Sequence, residues 1–209
     1  MKIAVLGTGT VGQTVAAGFA GLGHEVVVGT RDPEATLARS EPDAMGTPPF
    51  PVWQAEVVVN ATNGGASLEV LDQAEAANLS GKVLLDISNP LDFSQGFPPT
   101  LFVKDTDSLA EQIQRAFPDA RVVKSLNTMT AALMVDPARA GDGDHTTFVS
   151  GNDADAKQTV VTLLASLGHT DVIDLGELST ARGAEMLMPV WLRLMGALGT
   201  PYLQFKIVR

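Results

Sequence analysis

The chain has 209 residues, no cysteine and a formal net charge of −10 at pH 7. That length can bury a full core, the lack of cysteine excludes disulfides, thiolate metal sites and thiol catalysis, and the acidic balance argues against binding to nucleic acid or anionic membrane. Hydrophobic residues make up 45% of the chain and charged residues 18%, the balance of a globular protein. No apolar run reaches membrane-spanning length, and Lys2 leads straight into an apolar run. The expectation is a soluble, cytoplasmic protein with no signal peptide and no metal site.

Residues 3–6 form a short apolar run that predicts a buried strand. The turn Gly7-Thr8-Gly9-Thr10-Val11-Gly12 follows with G-x-G-x-x-G spacing. Val15, Ala16, Phe19 and Leu22 then recur at helical spacing, Gly21 and Gly23 end the helix, and residues 25–29 form a second apolar run. This order suits a dinucleotide: the first glycine permits the tight turn, the second lets a pyrophosphate approach the backbone, and the third lets helix pack on strand. The helix N-terminus then presents free N–H groups to the phosphates. After the second run stand Thr30 and Arg31, where many NAD sites place an acid. A hydroxyl and a guanidinium fork suit a 2′-phosphate, so NADP is expected over NAD. Asp32 is expected to cap a helix beginning at Pro33.

A short helix is expected over 33–40 and a Pro- and Gly-rich loop over 41–51. A third strand is expected over 56–61, a helix capped by Ser67 to about 78, and a fourth strand over 82–87. A loop over 91–105 follows, then a helix from Asp107 or Ser108 to about 117, a fifth strand over 120–125 and a sixth over 146–150. This alternation predicts an α/β fold, a doubly wound parallel sheet. Residues 1–150 are read as the dinucleotide-binding domain. Residues 151–209 are read as a small, mostly helical C-terminal extension packed on it, with a helix opened by Asp153 or Asp155 and running to 165, a short strand over 171–175, a long helix over 179–198 interrupted by Pro189 and Gly196, and a final strand over 204–208.

Ligands of such sheets lie at the carboxyl ends of the strands. Three of those ends carry small polar turns: Asn60-Ala61-Thr62-Asn63, Asn89-Pro90 and Asn127-Thr128-Met129. They are expected to converge beside a nicotinamide, bonding its carboxamide and leaving the ring face open to a flat partner. No side chain stands out as a general acid or base. His24 and His169 are assigned to the amino ends of strands, away from the site, and His145 to a structural role. Lys124 and Asp86 fall inside strands; Asp86 is the best acid candidate, but a turn role is preferred for it. A hydride transfer needs mainly alignment and exclusion of water. Met129, Leu133 and Met134 are candidates for an adaptable wall. Met186, Met188, Trp191 and Met195 are read rather as core or as a seam between two copies, which predicts a homodimer.

The segments GTGTVG, VVVGTRDP, ATNG, DISNPL, VVKSLNTM, FVSGNDADAK and GELSTARGAEMLMPVWLRL together resemble the NADPH-dependent reductases of the deazaflavin coenzyme F-420, over nearly the whole chain. The superfamily also includes the cytosolic domains of membrane ferric reductases. The resemblance implies a Rossmann fold and a hydride passed directly between NADPH and the deazaflavin, with no catalytic side chain. It implies that Thr8, Thr30 and Arg31 hold the 2′-phosphate. A flavin, a quinone or a ferric chelate as acceptor, or an NADP-binding sensor without turnover, are the alternatives.

Overall fold

The computed structural model describes residues 1–29 and 52–209. The helix expected over 33–40, the loop over 41–51 and the expected phosphate ligands Thr30 and Arg31 lie outside the described residues. The opening unit forms as its sequence dictates. β1 (Lys2–Leu6) runs through the Gly-rich turn into α1 (Thr10–Gly21), and β2 (Glu25–Gly29) returns parallel to β1. β3 (Val57–Asn60) pairs with the other side of β1, so the chain changes direction across the sheet between β1 and β3.

The helix expected from Ser67 is two short ones, α2 (Ser67–Gln73) and α3 (Ala76–Leu79), separated by Glu75 at φ +67°. β4 (Val83–Asp86) follows in parallel register. The expected loop after it carries a small antiparallel hairpin, β5 (Leu91–Asp92) and β6 (Thr100–Leu101). α4 (Leu109–Ala116) starts at Ser108, whose hydroxyl accepts from the Glu111 N–H. β7 (Arg121–Ser125) completes the parallel set.

The next strand departs from an all-parallel sheet. α5 (Ala131–Val135) and two short turns carry the chain along the edge where β7 ends, and β8 (Thr146–Gly151) re-enters from that edge, antiparallel to β7. A parallel return needs a crossover to the opposite edge, which this segment does not make. α6 (Ala154–Ser166), capped by Asp153, supplies such a crossover, and β9 (Asp171–Gly176) is parallel to β8. The sheet order is β2-β1-β3-β4-β7-β8-β9. The division expected at residue 150 therefore falls inside β8, and α6 and β9 belong to the sheet; the helical extension begins only after β9.

The long helix expected over 179–198 is α7 (Ala181–Met186) and α8 (Met188–Leu198). Pro189 sits in the first turn of α8, where its missing N–H costs nothing, and Gly196 does not interrupt the helix. Residues 204–208 form no strand, although the Thr146 N–H donates to the Phe205 carbonyl at 2.8 Å.

Alternate strand residues divide the core between two faces. Ile3, Val5, Val57, Val59, Leu85 and Val123 pack against Phe19 of α1, Leu133 of α5 and Val160 of α6. Ala4, Val58, Leu84 and Val122 pack against Leu71 of α2, Leu109 and Ile113 of α4 and Ala181 of α7. A third cluster joins Leu101 of β6 to Met188, Trp191 and Leu192 of α8. It fixes the hairpin and α8 beside the carboxyl edge of the sheet.

Candidate functional site

The crevice opens where the chain switches sides around β1, as the topology requires. Gly7 leaves β1 at φ +120°, and a Cβ there would meet the Ala61 carbonyl oxygen at 2.5 Å. A Cβ on Gly12 would lie 2.0 Å from the Gly7 carbonyl oxygen. Gly9 is different: a Cβ there would find no atom within 4 Å. Gly9 also caps α1 with no side-chain bond, so the N–H groups of that first turn open on the space above it. An anion can approach the backbone here, and the positive end of α1 favours one. This donor set fits a dinucleotide pyrophosphate.

A cleft of about 180 Å³ lies beside the turn. Val11 of α1 lines it, with Ala61, Thr62, Asn63 and Gly64 after β3, and Ile87, Ser88 and Asn89 after β4. Leu91 of β5, Asn127 and Met129 after β7, Met134 of α5 and Met188 of α8 complete it. All three polar turns picked out in the sequence therefore reach one cleft. Of the Gly-rich turn Val11 alone lines the cleft; Gly7, Thr8, Gly9, Thr10 and Gly12 are not among its lining residues. Among the described residues, none that lines it has a titratable side chain.

Several expected residues stand elsewhere. Asn60 is fully buried beneath the cleft: its amide donates to Asp86 Oδ1 at 2.8 Å and its carbonyl accepts from Thr62 Oγ1 at 2.7 Å. Pro90 is buried, and its carbonyl accepts from Phe102 N–H to anchor the hairpin. Ser67 is the first residue of α2 rather than its cap, and its hydroxyl joins the network of Asn60 and Thr62. Asn89 and Asn127 bond each other: Asn89 Nδ2 donates to the Asn127 carbonyl at 2.8 Å, and Asn127 Nδ2 donates to Asn89 Oδ1 at 2.9 Å and to the Ala184 carbonyl at 3.1 Å. Leu133 belongs to the core, whereas Met129 and Met134 wall the cleft. Met188, read from sequence as core or seam, reaches the cleft as well.

The histidines need a correction. Because β8 is antiparallel, the amino ends of β8 and β9 lie at the carboxyl edge of β7, so His145 and His169 are on the ligand side. Both are buried, with ring centroids 6.1 Å apart. His169 Nε2 lies 3.0 Å from the Met134 carbonyl and Nδ1 lies 2.9 Å from Thr147 Oγ1. These bonds suit a neutral ring that donates from Nε2 and accepts at Nδ1. Burial pushes its pKa below the ordinary value.

The largest omission of the sequence reading is a buried ion network under the cleft. Asp86 ends β4, and Lys124 is its register partner on β7. Lys124 Nζ lies 2.8 Å from Asp86 Oδ2 and 2.9 Å from Glu185 Oε1, with all three side chains closed to solvent. It also donates to the Ser88 carbonyl. Glu185, from α7, accepts from the N–H groups of Leu109 and Ala110 at the start of α4. Burial works against the ammonium, but Asp86 and Glu185 outweigh it and hold its pKa above the ordinary lysine value. One sequence signal pointed here: a lysine between Val123 and Ser125 in an apolar strand must find a buried counter-charge.

A switch-point crevice with an anion-ready helix end and an apolar cleft beside it defines a dinucleotide-binding protein of the Rossmann class. Residues 2–90 match the family described as NADP oxidoreductase, coenzyme F420-dependent. A solved structure from Arthrobacter sp. FB24, described provisionally as an F420-dependent NADP-reductase, is 62% identical, covers the whole of both chains and superposes with a TM-score of 0.95. The F420-dependent NADP reductase of Methanothermobacter marburgensis is 29% identical over 93% of this chain and 92% of its own length. Metalloreductase STEAP3 of Rattus norvegicus is 31% identical over 91% of this chain, which spans 38% of that protein. The chain belongs to the coenzyme F420-dependent NADP oxidoreductase family, a family of NADP-dependent oxidoreductases. Among the described residues, no helix is long and apolar enough to cross a membrane.

Proposed function

We propose that the protein reduces or oxidises the deazaflavin F420 with NADP(H), the bound dinucleotide exchanging a hydride with the flat coenzyme. The observation that carries this reading is the cleft beside the Gly-rich turn, lined by polar strand ends and by Met129, Met134 and Met188. The backbone of the turn 7–12 and the N-terminus of α1 hold the pyrophosphate. Thr8, Thr30 and Arg31 hold the 2′-phosphate. The turns at Ala61-Thr62-Asn63, Asn89 and Asn127 orient the nicotinamide carboxamide. The methionines, polarisable and adaptable, shape a dry wall for a planar acceptor. Direct transfer asks no side chain to carry a proton, in keeping with a lining that, among the described residues, lacks titratable groups.

The likeness to a metalloreductase supports a second reading, in which a free flavin or ferric chelate takes the electrons. The test is the loss of nicotinamide absorbance with NADPH and, in turn, F420, FMN or FAD and a ferric chelate, with NADH in parallel. Rapid oxidation of NADPH by F420 alone supports the first reading. Turnover only with flavin or iron replaces it, and tight NADPH binding without any turnover favours the sensor.

We also infer a homodimer. On α8, Val190, Leu194 and Leu198 are exposed at four-residue spacing, and Met186 of α7 is exposed before them. An isologous pairing covers such a stripe.

A further inference from the structure

The chemistry proposed above leaves one feature of the fold without a use. A lysine and two carboxylates are closed off from solvent directly beneath the cleft, and burying charges is costly even when they are paired. Two routes lead from them to the lining. Asp86 Oδ1 accepts from the Ser88 N–H at 3.2 Å and the Ser88 hydroxyl at 2.6 Å, and Lys124 takes the Ser88 carbonyl, so Ser88 is held from three sides. Ser88 and the adjoining Asn89 both line the cleft. On the other arm, Glu185 fixes α7, and the carbonyl of the preceding Ala184 accepts from Asn127.

Between Lys124 and Asn127 lies Leu126, buried at φ +60°. A branched side chain in the left-handed region costs of order 1–3 kcal/mol and persists only where its surroundings over-determine it. Here Lys124 pins the chain two residues before it, and Asn127 pins the chain just after it through Asn89 and Ala184. The strained residue turns the end of β7 so that Asn127 faces Asn89.

We propose that Lys124 is a positioning residue for the nicotinamide end of the cleft: through Ser88 and Glu185 it holds the Asn89–Asn127 pair in place. It touches neither cofactor nor acceptor. This inference rests on the functional reading above only in needing NADPH to enter the cleft. Among the described residues, the Gly-rich turn, which faces the pyrophosphate between the two halves of the dinucleotide, has no hydrogen bond to this network.

The test compares two ligands by calorimetry: NADPH, which reaches the cleft, and 2′,5′-ADP, which carries only the adenosine half. Lys124→Met removes the charge at similar length. Since it leaves two buried carboxylates unpaired and can prevent folding, Glu185→Gln is measured beside it; this variant keeps a side-chain carbonyl for α4 and keeps the Lys124–Asp86 pair. In each folded variant the expected result is NADPH affinity lower by about tenfold, within the range of coupled networks, with 2′,5′-ADP affinity unchanged. Equal losses for both ligands would mean a general structural role and overturn the proposal, and so would no loss for either. Wild-type protein that does not bind NADPH refutes the functional reading instead, so the two failures are distinguishable.

Discussion

Two alanine substitutions in one turn should have opposite consequences. At Gly12 the new methyl would sit 2.0 Å from the Gly7 carbonyl oxygen, well over an ångström inside ordinary contact, and the obstacle is backbone that no rotamer change relieves. Either α1 moves off β1 or the turn opens. Overpacking of this kind costs about 3 kcal/mol at the upper end of its usual range, which for a chain of this length lowers Tm by roughly 6–12 °C. At Gly9 the methyl meets nothing within 4 Å, and φ is −77°, a value alanine adopts freely. Folding should be unharmed there, or favoured by about 0.4–1 kcal/mol because the unfolded chain has less freedom. Yet that open space is where a pyrophosphate must approach, so Gly9→Ala should weaken NADPH by at least about tenfold, or 1.4 kcal/mol. Differential scanning calorimetry and titration calorimetry on both variants measure this. If Gly9→Ala binds NADPH like the wild type, the phosphates do not run over Gly9. If Gly12→Ala melts like the wild type, the close packing of α1 on the turn is not what requires glycine.

Arg31→Ala should weaken NADP(H) far more than NAD(H) in a binding titration; equal losses remove Arg31 from the phosphate site. His169, lowered from 6.5 by burial first and by His145 as well, against the pull of the Met134 carbonyl, takes up protons more readily in the unfolded chain. Its contribution to stability is therefore complete above about pH 6.5 and lost as pH falls below it. The urea midpoint should decline between pH 7 and pH 5, with a shallower slope in His169→Gln; identical slopes exclude the residue. Leu194→Asp, on the exposed stripe of α8, should shift the protein from dimer to monomer in light scattering at micromolar concentration, and a wild-type monomer would sink the dimer outright.

Local chemistry made much of this molecule legible in one dimension. An apolar run, a glycine turn and a helical period are properties of consecutive residues, and β1, α1 and β2 follow from them directly. The helix starts at Ser108 and Asp153, each read as one of two neighbouring caps, were readable because a cap depends on a side chain bonding its own neighbourhood, and the strand ends at Ala61, Asn89 and Asn127 because a short turn follows an apolar run. Parallel strands all end on one edge, so the convergence of those turns in a single cleft needed only the strand-and-helix alternation.

The remainder depended on contacts between distant residues. Nothing within 126–145 announces that β8 returns antiparallel, because strand direction is set by whether the connection crosses the sheet. That choice moved His169 from the far edge, where the sequence reading put it, to the ligand edge beside His145. Asp86 and Lys124 look like isolated charges in apolar strands until register sets them side by side, and Glu185 reaches them only because α7 packs on α4 and β7. Asn60 has the composition of a ligand-binding turn, but four polar partners, three of them buried, claim it. The sequence by itself determined the dinucleotide turn and the class of fold, since both reside in short-range pattern. Only the tertiary structure decided which polar groups face the cleft and which are consumed beneath it, since a buried hydrogen bond or ion pair exists only when two remote segments meet in one geometry.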